Sequence, residues 1–271
     1  MSRNLIQRIQ WGARRCAVGF GVYAWGSAIV ILCIGWAIIL VLPAYPKSRT
    51  PRKLCRQMCR WLLRMTRLWP SVKGMEHLTT AMQQSREGQF GFLAASNHAS
   101  YVDALVVAAV CPFDFGFVIK EEAASWPMVG RIIRKCGFLL VNRNEALRAA
   151  TDGVQIAIEL KEGRALHVFP EGTFTPESGL RPFQMGGFKA AVEMKSPILP
   201  FVLKGTRSVW RDGTWLPRPG SVEVNIRPLI WPQGQGWAEM VRLRDEVRRE
   251  ILAGCGEQPI EITLAGLPKD E

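Results

Sequence analysis

The sequence predicts one α/β domain preceded by a helical segment that inserts into a membrane. From residue 72 onward, short apolar strand patterns alternate with helix patterns, as an α/β domain requires. Residues 16–45 hold no charge over 30 positions, whereas a bilayer span needs roughly 20 apolar residues. Residues 1–75 carry 13 Lys and Arg and no acid, while the remainder carries 22 basic against 23 acidic residues. A chain of 271 residues, 48% of them hydrophobic, is long enough for one large domain and an accessory segment.

The segregated charge decides between partners. A protein that tracks nucleic acid spreads its cations over the folded surface, and here the part after residue 75 has a net charge of −1 although the chain totals +12. Basic residues that flank an apolar run point instead to anionic lipid headgroups, each worth about 1 kcal/mol near the surface. Seven cysteines (16, 33, 55, 59, 111, 136, 255) form an odd set with no CxxC, and two lie within the apolar run. They imply neither a disulfide framework nor a zinc site, and they fit a reducing compartment. Cys55 and Cys59, one helical turn apart, read as helix filler.

In chain order, the first element is the apolar run with its dense stretch AIVILCIGWAIILVL. A cleaved signal peptide has an apolar core of about 7 to 15 residues and a small-residue cleavage site; this run is longer and ends in LPAYP. It suits a tilted span or a hairpin that turns near Gly26 and Ser27. More basic residues follow the run than precede it, so the positive-inside bias places the following domain on the cytoplasmic side of the inner membrane. After Pro46 and Pro51, residues 52–69 sort with helical period: Leu54, Met58, Trp61, Met65 and Leu68 on one face, Lys53, Arg56, Arg60, Arg64 and Arg67 on another. Such a helix lies in the membrane interface, or packs on a core with a solvated basic back. Strands are then expected at 91–96, 137–142, 165–169, 198–203 and 222–230, and helices at 101–110, 146–162 and 237–252, with Gly163 stopping the second.

Of the three histidines, His77 adjoins a turn and His167 lies inside a strand pattern, the place of an ordinary core histidine. His98 closes a strand and precedes a helix, a junction where α/β domains meet ligands. Asp103 falls in the first turn of that helix, where it can accept from one imidazole nitrogen and leave the other to take a proton from an alcohol. Ser100 to Asp103 matches a capping box as well, and a lone His-x4-Asp pair is weak evidence, so on this pair alone the reading of Asp103 as a helix cap is the stronger. The second feature, Phe169-Pro170-Glu171-Gly172-Thr173, is a strand end with a carboxylate and a glycine that permits a tight turn.

NHASYVD followed by FPEGT, each at a strand end, resembles the glycerolipid acyltransferase family, whose best-known members acylate lysophosphatidic acid to phosphatidic acid. The resemblance runs from about residue 90 to 205 through four blocks. NHASYVD supplies His98 and Asp103; CGFLLVNR supplies Arg143 at the position that resembles a phosphate-binding arginine; in FPEGT, Glu171, Gly172 and Thr173 resemble acceptor-binding residues; ILPFVLKGT places Pro200 near the acyl donor. The third block departs from the pattern, since Phe174 stands where many family members have arginine. Arg181 and Lys189 are the loop residues available to replace that charge, and Lys120 is a further candidate for the acceptor phosphate beside Arg143.

The resemblance implies a single mixed-sheet acyltransferase domain over 71–271, with helices on the sheet faces and residues 1–70 as the membrane anchor. It implies transfer of a fatty acyl group from acyl-CoA or acyl carrier protein to a lysophospholipid hydroxyl, with His98 as base, Asp103 as its orienter, and amides at the following helix start as oxyanion donors. Ser100 is not a nucleophile in this scheme, and no metal or bound cofactor takes part. Two other readings are a membrane-tethered hydrolase using the same His and Asp on water, which leaves Lys120 and Arg143 idle, and a non-catalytic lipid-binding scaffold, which leaves both strand-end motifs without purpose.

Overall fold

The computed structural model describes residues 18–31, 33–35, 37–38, 49–112, 114–126, 129–141, 146–214 and 216–260. Its first element is a helix over Val18–Gly35, α1, which by length and composition is apolar enough to cross a membrane. It continues through Gly26 and Ser27, so the hairpin turn allowed there by sequence is absent. Ala24, Ser27 and Ile31 form its buried stripe, and Val22, Tyr23, Ile29, Val30 and Ile34 stay exposed. Such an apolar outer surface is the kind that lipid covers.

Helix α2 (Arg49–Met65) ends earlier than its periodicity suggests. Arg67 adopts φ 54° and the Leu68 amide donates to the Leu63 carbonyl at 2.8 Å, a Schellman-type stop. Its faces also differ from expectation. Met58, Cys59 and Leu63 are buried, whereas Trp61 and Met65 are 45% and 44% exposed. The reason is that α2 contributes Cys59 and Leu63 to a core shared with a later helix while Met58 meets Gly35 of α1, so no single apolar face exists. Nor is the basic back uniformly solvated: Arg52 donates to the carbonyls of Cys136 and Gly137 at 2.6 and 3.0 Å.

The rest alternates strand and helix: β1 (Ser71–Lys73), α3 (Met75–Gly88), β2 (Phe92–Ser96), α4 (Val102–Val110), β3 (Gly116–Lys120), a 3-10 helix (Glu121–Ser125), α5 (Val129–Cys136) and β4 (Leu139–Val141). Then follow α6 (Ala146–Lys161), β5 (Ala165–Val168), α7 (Gly186–Glu193), β6 (Ile198–Lys204), α8 (Thr206–Val209), β7 (Glu223–Ile226) and α9 (Gly236–Cys255). The strands form one sheet in the order β1-β7-β6-β2-β5-β3-β4, parallel except where β7 runs against β6. β7 stops well before residue 230 because Pro228 has no N–H for a ladder.

Both faces of the central strand are covered. Phe92 and Ala94 join a core with α2, α3 and α4, while Leu93 and Ala95 join one with α6, α7 and α9. A strand buried on both sides reads as a continuous apolar run, as FLAAS does. The boundary near residue 70 marks a change of composition, and α2 on its N-terminal side is part of the domain core. From β2 the chain crosses to β3 and from β5 it crosses to β6, so the adjoining C-terminal ends of β2 and β5 form a topological switch point, the usual ligand crevice of open α/β sheets.

Candidate active site

At that switch point β2 runs into Asn97, whose side-chain amide grips β6 twice: Nδ2 donates to the Leu203 carbonyl at 2.9 Å and the Leu203 amide donates to Oδ1 at 2.8 Å. His98 follows, its path fixed by this clamp. Its Nδ1 lies 3.0 Å from Asp103 Oδ2, with the aspartate side chain fully buried and the histidine 15% exposed. Oδ2 also accepts from the amides of Ala99 at 2.6 Å and Ser100 at 2.7 Å. An oxygen taking two N–H bonds is a carboxylate acceptor, so the proton between it and the ring belongs to Nδ1. Nε2 then keeps its lone pair, and among the described residues it has no protein partner. Such an imidazole is able to take a proton from a bound hydroxyl.

The two readings of Asp103 are not alternatives. It caps the loop entering α4 through the Ser100 amide and orients His98 with the same oxygen. Only that half of a capping box forms: Ser100 Oγ accepts from the Val102 amide at 3.1 Å and not from the Asp103 amide, which donates to the Ser100 carbonyl, and the Ser100 O–H donates to the Trp210 carbonyl. These bonds use up the amides of Ala99, Ser100 and Val102, and the His98 amide donates to Glu171. The oxyanion role expected of the helix start therefore does not fall to them.

Glu171 joins the two motifs. Oε1 accepts from the His98 amide at 2.6 Å and Oε2 from the Arg181 amide at 2.8 Å, in a site where the residue is 5% exposed. Burial pushes its carboxyl up to about 7, against the pull of those two amides. Gly172 takes φ 81°, which a residue with a Cβ rarely adopts, and its amide closes the turn on the Phe169 carbonyl. Thr173 is exposed.

Aromatic rings wall the histidine. Phe169 stacks on His98 at 4.0 Å between centroids, and Phe174 meets its edge at 4.5 Å. From Phe174 a row continues through Tyr101 and Trp210 to Trp25 on α1, each contact between 4.8 and 5.4 Å. Sequence reasoning noted Phe174 only as a missing arginine; its place in this row depends on contacts between distant segments. His167 lies in β5 as the core histidine expected there, buried beside the site with Nε2 3.1 Å from Ser96 Oγ. Burial, reinforced by His98, lowers the His167 pKa to about 3, which keeps that ring neutral.

The remaining candidates separate. Lys120 ends β3 and pairs in register with Val141 at the end of β4, on the same sheet edge as His98. Arg143 lies outside the described residues. Arg181 meets the site through its main chain. Lys189 is on α7, 3.9 Å from Glu193, and so is not the loop residue anticipated. Pro200 is buried within β6 beside Ala95 of β2.

A family model described as Acyltransferase matches residues 58–204. A 1-acyl-sn-glycerol-3-phosphate acyltransferase of Limnanthes alba is 26% identical over 220 residues, covering 78% of this chain and 73% of that one. A lyso-ornithine lipid O-acyltransferase of Pseudomonas aeruginosa is 28% identical over 178 residues, covering 60% and 68%. The crystal structure of the 1-acyl-sn-glycerophosphate (LPA) acyltransferase PlsC from Thermotoga maritima superimposes with a TM-score of 0.66 at 22% identity, covering 89% of this chain and 97% of the other.

Proposed function

This chain belongs to the acyltransferase family, whose model spans more than half of it, and from that premise we propose that it acylates the free hydroxyl of a lysophospholipid, 1-acyl-glycerol-3-phosphate first among them, to give phosphatidic acid. The carrying observation is the His98–Asp103 pair, which leaves Nε2 available at the sheet's switch point. His98 Nε2 takes the proton as the acceptor oxygen attacks the thioester carbonyl. The C–S bond breaks, and the imidazolium returns the proton to the departing thiolate. Asp103 stabilises the imidazolium. The donor is acyl-CoA or acyl-carrier-protein, and no resident cofactor takes part in this scheme.

Lys120, at the end of β3, and Arg143, two residues beyond β4, supply the acceptor's phosphate contact, arginine being the better fork for it. Residues 1–70 anchor the enzyme to the inner membrane with residues 71–271 on its cytoplasmic side, a reading supported by the apolar α1 and by the basic residues after it.

A second acceptor class is favoured by one observation. Phe174 fills the place of a family arginine and packs on His98, which suits a headgroup less anionic than a phosphate monoester. Membranes given labelled acyl-thioester and a panel of lysolipids test both: preference for lysophosphatidic acid supports the first, preference for a zwitterionic or amino-acid lysolipid the second, and release of free fatty acid alone would overturn both.

A further inference from the structure

Helix α2 turns two arginines inward. Arg56 and Arg60 are half-buried, while Lys53, Arg64 and Arg67 on the same helix and its stop are exposed. With α3 and the end of α4 they line a cavity of about 600 Å³. One wall is apolar, made by Val72, Leu78, Met82 and Val110. At the rim, Arg86 is answered by Asp114 at 3.7 Å, and Glu87 accepts from Gln83 at 2.9 Å. Arg56 Nε and Arg60 Nε have no such answer: both are buried without a hydrogen-bond partner among the described residues.

Two orphaned guanidinium N–H groups one turn apart are costly by desolvation and by mutual repulsion. Burial and then the neighbouring Arg60 lower the Arg56 pKa, with Cys111 and Asp114 pulling the other way. An oxyanion offering two acceptor oxygens would answer both groups, and arginine pairs are suited to phosphate. Because the opposite wall is apolar, the ligand is amphiphilic. Trp69 also lines the groove, with the Arg60 and Arg64 guanidinium groups 5.4 and 4.2 Å from its ring.

We propose that this groove is a second lipid site, which takes the phosphate of an anionic glycerophospholipid between Arg56 and Arg60 and seats its glycerol and chain roots against Val72, Leu78 and Met82. It is separate from the acceptor site. His98 precedes the start of α4 and Val110 is that helix's last residue, and nine helical residues span about 13 Å. An occupied groove holds the enzyme to anionic bilayer while the acceptor site turns over.

The test is titration of the full-length protein in detergent with dihexanoyl phosphatidylglycerol and, separately, dihexanoyl phosphatidylcholine. The R56Q/R60Q variant should bind the anionic lipid at least about tenfold more weakly and the zwitterionic lipid unchanged, with no fall in thermal midpoint, since the two side chains removed each bury an Nε–H without a partner among the described residues. T79W, which fills the cavity without altering charge, should cause a similar loss. The pair R67Q/K73Q removes as much charge from exposed positions and should cause little. Equal losses from that pair, or unaltered binding by T79W, would reduce the groove to diffuse surface attraction and overturn the proposal. Displacement of the lipid by inorganic phosphate or by free coenzyme A at comparable concentration would overturn it also, making the groove a site for a soluble phosphate.

Discussion

His98 is held by its main chain through Glu171, by its ring nitrogen through Asp103 and by its face through Phe169. H98A should therefore lower turnover by roughly 10²–10⁴ and leave thermal stability and membrane association in place, measured with labelled acyl-thioester; near-normal turnover would remove the mechanism. D103N should also cost activity, through loss of the tautomer. Glu171 carries a pH dependence. Its folded pKa of about 7 lies above its ordinary value of 4.5, so the folded state binds the extra proton between those values. Stability from this group is fully present below about 4.5 and is lost as pH rises through about 7, by an amount on the order of 3 kcal/mol. The difference in unfolding free energy between wild type and E171Q should shift across that window, and a flat difference would show that Glu171 stays ionised throughout. At Phe174, restoring the charge with F174R should lower KM for lysophosphatidic acid several-fold relative to a zwitterionic lysolipid. An unchanged ratio would place headgroup selection elsewhere. The histidine and aspartate were legible because five positions across a strand-to-helix turn are a local relation. The Glu171 bridge and the aromatic wall were not, since both join segments more than seventy residues apart.

Strong punctuation made some elements readable from sequence. α6 stops before Gly163, which has φ 74°, and β2, β5 and β6 fall where apolar runs are bounded by turn residues. β3, α3 and α7 were passed over. GFVIK is short and mixes Gly and Lys with its apolar residues, and α3 buries only Leu78, Ala81 and Ser85, too narrow a stripe to stand out. The face of α2 was misjudged because periodicity reports how many residues are apolar, not how many neighbours share them: α1 and α4 each claim part of the helix. That sharing determines how the anchor should be tested. Removing everything before Val72 would strip Cys59 and Leu63 from the core, so the informative truncation deletes residues 1–47 and keeps α2. That protein should fold but leave the membrane in a high-salt wash, because α2 alone adds interfacial affinity without a span. Pelleting unchanged after the wash would place the anchor in the domain itself.

The molecule as a whole is an O-acyltransferase with its charge divided end from end, 13 basic residues and no acid before Glu76 and a net −1 after. Attraction of the N-terminal part to anionic bilayers should weaken as salt rises, the screening length falling from about 30 Å at 0.01 M to about 10 Å at 0.1 M. Activity on vesicles rich in phosphatidylglycerol should drop over that range while activity on neutral vesicles holds, and parallel behaviour of the two would argue against headgroup attraction. The row of rings from Trp25 through Trp210, Tyr101 and Phe174 to His98 ties the imidazole proposed as the base to the helix proposed to lie in the bilayer. With that helix inserted, the enzyme meets its acceptor by lateral diffusion in a plane instead of by search through bulk water. Its velocity should then follow the mole fraction of lysolipid in the surface, and adding inert phospholipid at constant total lysolipid should slow it by dilution.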